Sequence, residues 1–285
     1  ERGSPVQTFE SKEFPQAYAA AQETPEAFWL EEAKRLSWHT APTQARSLSP
    51  EGIAAWFPDG KLNTSWLCLD AHLAADHGDR TALIYDSPVT GQKAHFSFAA
   101  LRERVARTAG SLRALGVGIG DRVVIYMPMI PEALIAMLAC ARLGAIHSVV
   151  FGGFAGRELA VRIDDAQPKV LLTASCGLEA DRVIPYEPLV TEALALAATP
   201  PAHCVVVQRP QAPMALTPGR DHPWDAFEAA GAPVDAVPLK ATDPLYILYT
   251  SGTTGKPKGV VRDHGGHAVA LAASMARVYD TGPGE

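Results

Sequence analysis

The chain has 285 residues, a formal net charge of −6, 47% hydrophobic and 20% charged residues, proportions of a soluble globular protein able to bury a sizeable core. The negative balance and scattered Lys and Arg leave no general basic field for nucleic acid or an anionic membrane, and no apolar run approaches the length of a membrane span. Cys68, Cys140, Cys176 and Cys204 show no CxxC spacing, which reads as reduced, buried thiols rather than a disulfide framework or a metal site.

In chain order, Glu1 to about Glu13 is a polar arm, expected to be mobile. The chain opens on Glu1 rather than Met, so the native start, with any targeting segment, is expected upstream. Helical spacing appears over Pro25 to Leu36, with Phe28, Trp29 and Leu36 on one face, where aromatics serve to pack this segment onto the main body. Thr40 to Leu62, broken by Pro42, Pro50 and Pro58, reads as loop.

From Thr81 the pattern alternates. TALIYD is a strand, and a turn at Thr90 to Lys93 returns it through AHFSF as a hairpin. Ser97 caps a helix whose apolar stripe is Leu101, Val105, Thr108, Leu112 and Leu115. A strand over Arg122 to Met127 leads to a helix from Pro131 to Leu143, opened by proline and closed by Gly144. Ala145 to Phe151 is a strand, Gly156 to Ala166 a helix and Lys169 to Ala174 a strand. This βαβαβ run predicts an α/β fold in which right-handed crossovers build a parallel sheet with helices on both faces. Pro188 to Ala198 reads as helix, His203 to Val207 as strand, Pro210 to Pro218 as a proline-rich excursion and Trp224 to Ala230 as a short helix.

Residues 245 to 259 read LYILYTSGTTGKPKG. A buried strand, Leu245 to Tyr249, enters a loop of Gly, Ser, Thr and Lys that suits a polyphosphate. Gly252, Gly255 and Gly259 let backbone amides close on an anion; Thr250, Ser251, Thr253 and Thr254 supply hydroxyl donors, and Lys256 and Lys258 positive charge. The Walker loop does not fit: only two residues separate Gly252 from the Gly255-Lys256 pair, and Pro257 occupies the place of the metal-binding hydroxyl. A polar strand-to-helix turn is the bland alternative for such composition. Ligands of parallel sheets gather at the carboxyl ends of strands, where this loop falls.

TSGTTGKPKG at Thr250 to Gly259 resembles the phosphate-loop signature of adenylate-forming enzymes. PEAFWLEEAKRLSWHTAP at Pro25 to Pro42 and WFPDGKLNTSWLCLDAHL at Trp56 to Leu73 resemble the N-terminal extension of acetyl- and propionyl-CoA synthetases. VVFGGFAGREL at Val149 to Leu159 and VVRDHGGHAVAL at Val260 to Leu271 are similar to the propionyl-CoA synthetase branch. The resemblance runs from about Phe14 to the end of the chain. It implies a mostly helical extension over residues 14–73, followed by an AMP-binding domain of parallel sheets with flanking helices over 74–285. It also implies a continuation past Glu285, carrying the acyl pocket, adenine contacts, an acidic magnesium ligand and a catalytic lysine; no catalytic residue is identified within the chain.

The implied reaction has two steps. A short acid, propionate or acetate, attacks the α-phosphate of ATP to give acyl-AMP and pyrophosphate, and CoA then displaces AMP. Thr250 to Lys258 would hold the β- and γ-phosphates with Mg2+ alongside. Glu179, Ala180, Asp181 and Arg182 match a CoA-contacting loop, in which the Arg182 guanidinium suits a ribose phosphate; the residues alone equally describe a solvated surface loop. His264 and His267, with only Asp263 nearby, read as polar packing or exposed groups rather than metal ligands. Asp164 and Asp165 read as a solvated helix end. The expected compartment is the cytoplasm, or the mitochondrial matrix if a targeting segment precedes residue 1. The rival functions are a non-catalytic nucleotide-binding or interaction module and an adenylate former that loads a carrier protein, the latter disfavoured by the extension.

Overall fold

The computed structural model describes residues 14–180, 182–250 and 257–282; the polar arm predicted over the first 13 residues lies outside them. The chain forms two compact units. Within the described residues one comprises 14–62, Lys240–Thr242 and 264–282, and the other Asn63–Leu239 and Asp243–Asp263.

In the first unit, α1 (Phe14–Glu23) is followed by α2 (Pro25–Ala33), which starts on its proline and ends three residues earlier than its spacing predicts. Residues 40–62 are not simply loop. β1 (Arg46–Leu48) and β2 (Ala54–Trp56) pair antiparallel, and β3 (Lys61–Leu62) follows. Pro42, Pro50 and Pro58 sit in the connections, where a missing N–H breaks no ladder. Trp29 of α2 packs inside this unit, 6.1 Å from Trp56, and Trp38, in the segment after α2, lies 5.7 Å from Phe57.

In the second unit, a π-helical turn at Trp66–Asp70 runs into α3 (Ala71–Ala74). β4 (Thr81–Ser87) and β5 (Gln92–Ser97) form the predicted hairpin, with Gly91 at φ +67° in its turn. Ser97 Oγ accepts from the Ala100 amide at 3.2 Å and caps α4 (Phe98–Ala114), which buries Leu101, Val105, Thr108 and Leu112. β6 (Arg122–Met127), α5 (Pro131–Leu143), β7 (Ile146–Phe151), α6 (Gly156–Ala166) and β8 (Val170–Ala174) fall where the sequence pattern puts them. Gly144, at φ +73°, closes α5 in the left-handed conformation that a side chain resists. After these come β9 (Cys176–Glu179), β10 (Arg182–Pro185), α7 (Glu187–Leu196), β11 (His203–Val207), β12 (Asp221–Pro223), α8 (Trp224–Ala230), β13 (Leu239–Lys240), β14 (Pro244–Thr250) and β15 (Lys258–Asp263). The last helix, α9 (His264–Arg277), belongs to the first unit, where Arg277 pairs with the buried Glu32 at 3.0 Å.

The main sheet has the order β12-β11-β8-β6-β7-β14-β15. All neighbours run parallel except β15, which is antiparallel to β14. The chain moves from β6 outward to β7, then crosses back to β8, so right-handed crossovers put α5 and α6 on opposite faces. β6 lies at the centre, and Val123, Val124, Ile125 and Tyr126 are fully buried. Toward β15 the burial falls. Only Leu245 of β14 is buried and Leu248 is half exposed, so the strand predicted as buried instead has the exposure of a position next to the sheet edge. Cys140, Cys176 and Cys204 are buried free thiols, as expected, but Cys68 is exposed on the π-helical turn.

A buried ionic link ties the core to α3's approach. Arg142, fully buried on α5, forks onto Asp70 with Nη1–Oδ2 at 2.6 Å and Nη2–Oδ1 at 2.9 Å, and its Nε donates to the Val234 carbonyl. Asn63 Nδ2 donates to the carbonyls of Ala141 and Val237 beside it. Burial alone would raise the Asp70 pKa, but hydrogen bonds and charge from Arg142 and Arg102 outweigh it and hold the carboxyl below its usual value. Arg142→Met would leave a half-buried carboxylate with one partner, and its predicted cost is about 3 kcal/mol or more. Arg102→Met, at the more exposed partner, should cost about 1 kcal/mol or less. Urea denaturation of both variants checks the order.

Candidate functional site

Parallel strands deliver all their following loops to one edge of the sheet, and three of those loops carry the residues of interest. The connection after β14 holds the candidate phosphate loop read from the sequence. Ser251, Gly252, Thr253, Thr254, Gly255 and Lys256 lie outside the described residues, whereas both flanks are described. A strand, β15, follows the loop where the sequence pattern showed none. Thr250 and Lys258 are register partners across β14 and β15, so a hydroxyl and an ammonium leave the loop's mouth side by side. Thr250 Oγ1 approaches the Lys258 carbonyl at 3.5 Å.

One step further in, Tyr249 faces Gly259 across the ladder. A Cβ on Gly259 would come within 3.2 Å of the Tyr249 ring and 3.0 Å of Ile247. This glycine therefore leaves room for an aromatic ring to lie across its strand. The Tyr249 hydroxyl donates to Asp165 Oδ2 at 2.5 Å, and the Thr199 amide donates to Asp164 Oδ1 at 3.1 Å. The two acids thus correct the reading of a merely solvated helix end: each ties the end of α6 to another segment.

The second loop, after β8, is the hairpin β9–β10. Glu179 and Arg182 are its closing pair. Arg182 Nη2 lies 3.6 Å from Glu179 Oε2, with the side chains 76% and 52% exposed, a weak and easily exchanged contact. Ala180 turns the chain at φ +47°; Asp181 lies outside the described residues. An exposed arginine at a hairpin tip on the carboxyl edge is compatible with both readings of this segment, anion contact and solvated loop.

Between the two sits the third loop, Phe151 to Ala155 after β7. The strand order β8-β6-β7-β14 separates hairpin from phosphate loop by three strand spacings, about 14 Å. Two buried phenols grip this connection by its carbonyls: Tyr126 donates to Phe154 O at 2.7 Å and Tyr186 to Gly152 O at 2.5 Å. Burial pushes Tyr126 up to about 12 and Tyr186 still higher, so both remain donors at any physiological pH. A Cβ at Gly152 would fall 2.4 Å from the Tyr186 hydroxyl and 2.8 Å from Met127 O, so backbone approach here excludes every other residue type. Sequence reasoning missed both tyrosines. Tyr186 carries no local signal, because its partner is fixed by the β8 crossover rather than by spacing.

His264 and His267 open α9. His264 is fully buried, which with a smaller contribution from His267 lowers its pKa to about 4. Among the described residues no group of three or more His, Cys, Asp or Glu converges as a metal site, and no helix is long and apolar enough to cross a membrane. A histidine neutral in the fold and near 6.5 when unfolded favours the folded state fully above pH 6.5. That stability is lost as pH falls from about 6.5 toward 4. The melting temperature should therefore drop over this window, and His264→Gln should flatten the drop; a wild-type profile level from pH 7 to 4.5 would contradict the assignment.

Comparisons with known proteins bear on the family and the fold. A family model described as AMP-binding enzyme matches residues 71–284, and one described as acetyl-coenzyme A synthetase N-terminus matches residues 14–68. Human acyl-CoA synthetase short-chain family member 3, mitochondrial, is 47% identical over 274 residues, covering 96% of this chain and 40% of that protein. Propionate-CoA ligase of Escherichia coli K12 is 44% identical over 268 residues, covering 93% and 42%. An uncharacterized protein of Pseudomonas aeruginosa is 58% identical over 270 residues, covering 95% and 43%. Acetoacetyl-CoA synthetase from Streptomyces lividans superposes with a TM-score of 0.83 at 29% identity, covering 94% of this chain and 41% of its own. The chain thus spans about two fifths of the length of the relatives it matches.

Proposed function

The chain belongs to the AMP-binding enzyme family, and we propose that it is part of an AMP-forming short-chain acyl-CoA synthetase acting on propionate or acetate. The observation that carries this reading is the shared edge: β14 delivers the TSGTTGKPKG loop to the side of the sheet where the β9–β10 hairpin presents Arg182. A nucleotide and a second phosphate-bearing substrate then approach from one direction, as a two-step ligase requires. The relatives named as acyl-CoA synthetases and propionate-CoA ligase support the same chemistry. Acids of this size differ by single methylenes, each worth about 1–3 kcal/mol in a fitted pocket.

In the adenylation step the carboxylate oxygen bonds to the α-phosphorus of ATP and the bond to the β-phosphate oxygen breaks. Amides and hydroxyls of Thr250 to Thr254, with Lys256 and Lys258, hold the β- and γ-phosphates and neutralise the leaving pyrophosphate. In the second step the CoA thiolate attacks the acyl carbon and AMP leaves. Arg182 exchanges its exposed contact with Glu179 for the denser charge of the CoA ribose phosphate, at the hairpin where Ala180 turns the chain. The hydroxyls and ammonium groups of this loop sequence are a poor donor set for holding magnesium directly; the ion would be held by the nucleotide's phosphates, where it would offset their charge.

Variants of the full-length protein test these roles through separate half-reactions. Lys256→Ala should slow acid-dependent ATP–pyrophosphate exchange by about 2–4 kcal/mol in transition-state terms, and Gly255→Val should abolish it by resisting positive φ and filling the phosphate space. Both should leave CoA thiolysis of synthetic acyl-AMP much less impaired, because no pyrophosphate leaves in that step. A defect confined to thiolysis would reassign the loop. Arg182→Glu should raise the KM for CoA and spare the exchange reaction; unaltered CoA kinetics would make the hairpin an ordinary surface turn.

A further inference from the structure

Among the described residues, the register between β14 and β7 is a single pair, Tyr246 with His147, and the remaining ladder runs outward to the edge strand β15. What meets Tyr249, the residue immediately before Thr250, is a set of side chains from α6. The Arg162 guanidinium, 7% exposed, lies 5.7 Å from the Tyr249 ring centroid and 5.0 Å from that of Phe154. Its Nη1 donates to the Glu158 carbonyl at 2.6 Å and to Glu158 Oε2 at 2.9 Å, which fixes the plane of the fork. One turn on, Asp165 accepts the Tyr249 hydroxyl. Phe154 is itself pinned through its carbonyl by Tyr126.

A continuous path therefore runs from the buried Tyr126 through Phe154 and Arg162 to Tyr249. Arg162 is desolvated and set between two aromatic rings, an arrangement that holds ring orientation. The same cluster contributes little apolar burial, since Phe154 is 38% exposed and Asp165 is exposed. Its economy is that of a positioning device rather than of a core.

We propose that Arg162 and Asp165 are positioning residues for the nucleotide: by orienting Tyr249 they set the direction in which β14 launches the phosphate loop, so ATP affinity depends on them although neither touches ATP. This rests on the assignment of the loop to ATP phosphates. Tyr249→Phe keeps the ring on Arg162 and removes the hydroxyl contact; Arg162→Met removes the cation between the rings; Asp165→Asn retains an acceptor for the hydroxyl.

The test is calorimetric binding of MgATP to the full-length wild type and the three variants, with melting temperatures measured alongside and acid-dependent ATP–pyrophosphate exchange measured on the wild type. Tyr249→Phe should weaken ATP about fivefold and Arg162→Met about tenfold or more, while Asp165→Asn stays within about twofold. Melting temperatures should stay close to wild type. Equal affinity across the set, or losses that follow melting temperature alone, would overturn the proposal. Wild type that binds ATP but shows no exchange would overturn the ligase reading and leave the positioning result standing; wild type without ATP binding would overturn both.

Discussion

Parallel strand direction is the constraint on which the arrangement depends. Six strands of the main sheet point the same way, so the connections after β6, β7, β8 and β14 all emerge at one edge. Right-handed crossovers alternate the helices between faces, leaving that edge free of the elements that bury the sheet. The chain folds outward from β6 and returns through β14, and this brings residues near 154, 182 and 250 together despite their distance in sequence. The buried link from Arg142 to Asp70, with Asn63 beside it, anchors the other end of the same unit.

The edge itself is organised by donors held in low dielectric. Tyr126 and Tyr186 cannot ionise at physiological pH and so act as fixed hydroxyl donors to the carbonyls of residues 152 and 154. Gly152 permits that approach and Gly259 permits Tyr249 to lie across β15. Positive charge is then distributed outward: Arg162 is buried between rings, whereas Lys258 and Arg182 are exposed at the mouths of their loops. A buried guanidinium orients its neighbours, and exposed ones exchange partners with an incoming anion at little cost. The proposed division between positioning and binding groups follows from that difference in solvation.

Much of this was legible in the residues. Ser97, Pro131 and Gly144 mark helix ends through local chemistry, and the α4 stripe repeats at helical spacing, so element type and bounds there needed no tertiary information. The Gly, Thr and Lys after β14 mark a candidate anion site by composition alone, and residues 251–256 lie outside the described residues. Three features were not legible. The strands within 46–62 are two or three residues long, too short for a period to register, and prolines between them mask the pairing. β14 has the composition of a buried strand, but among the described residues it lies beside the outermost strand of the sheet, a place that only the strand order determines. Tyr186, Arg162 and Asp165 act through partners brought in by crossovers, and spacing along the chain carries no trace of them.

The central chemical claim is that a short carboxylate attacks the α-phosphorus of ATP. The most direct measurement is oxygen transfer: the full-length protein is incubated with 18O-labelled propionate, ATP and CoA, and the products are resolved by mass spectrometry. The account predicts AMP carrying one 18O atom together with propionyl-CoA and unlabelled pyrophosphate. Label appearing in inorganic phosphate with ADP as the nucleotide product, or AMP formed without label, would contradict it.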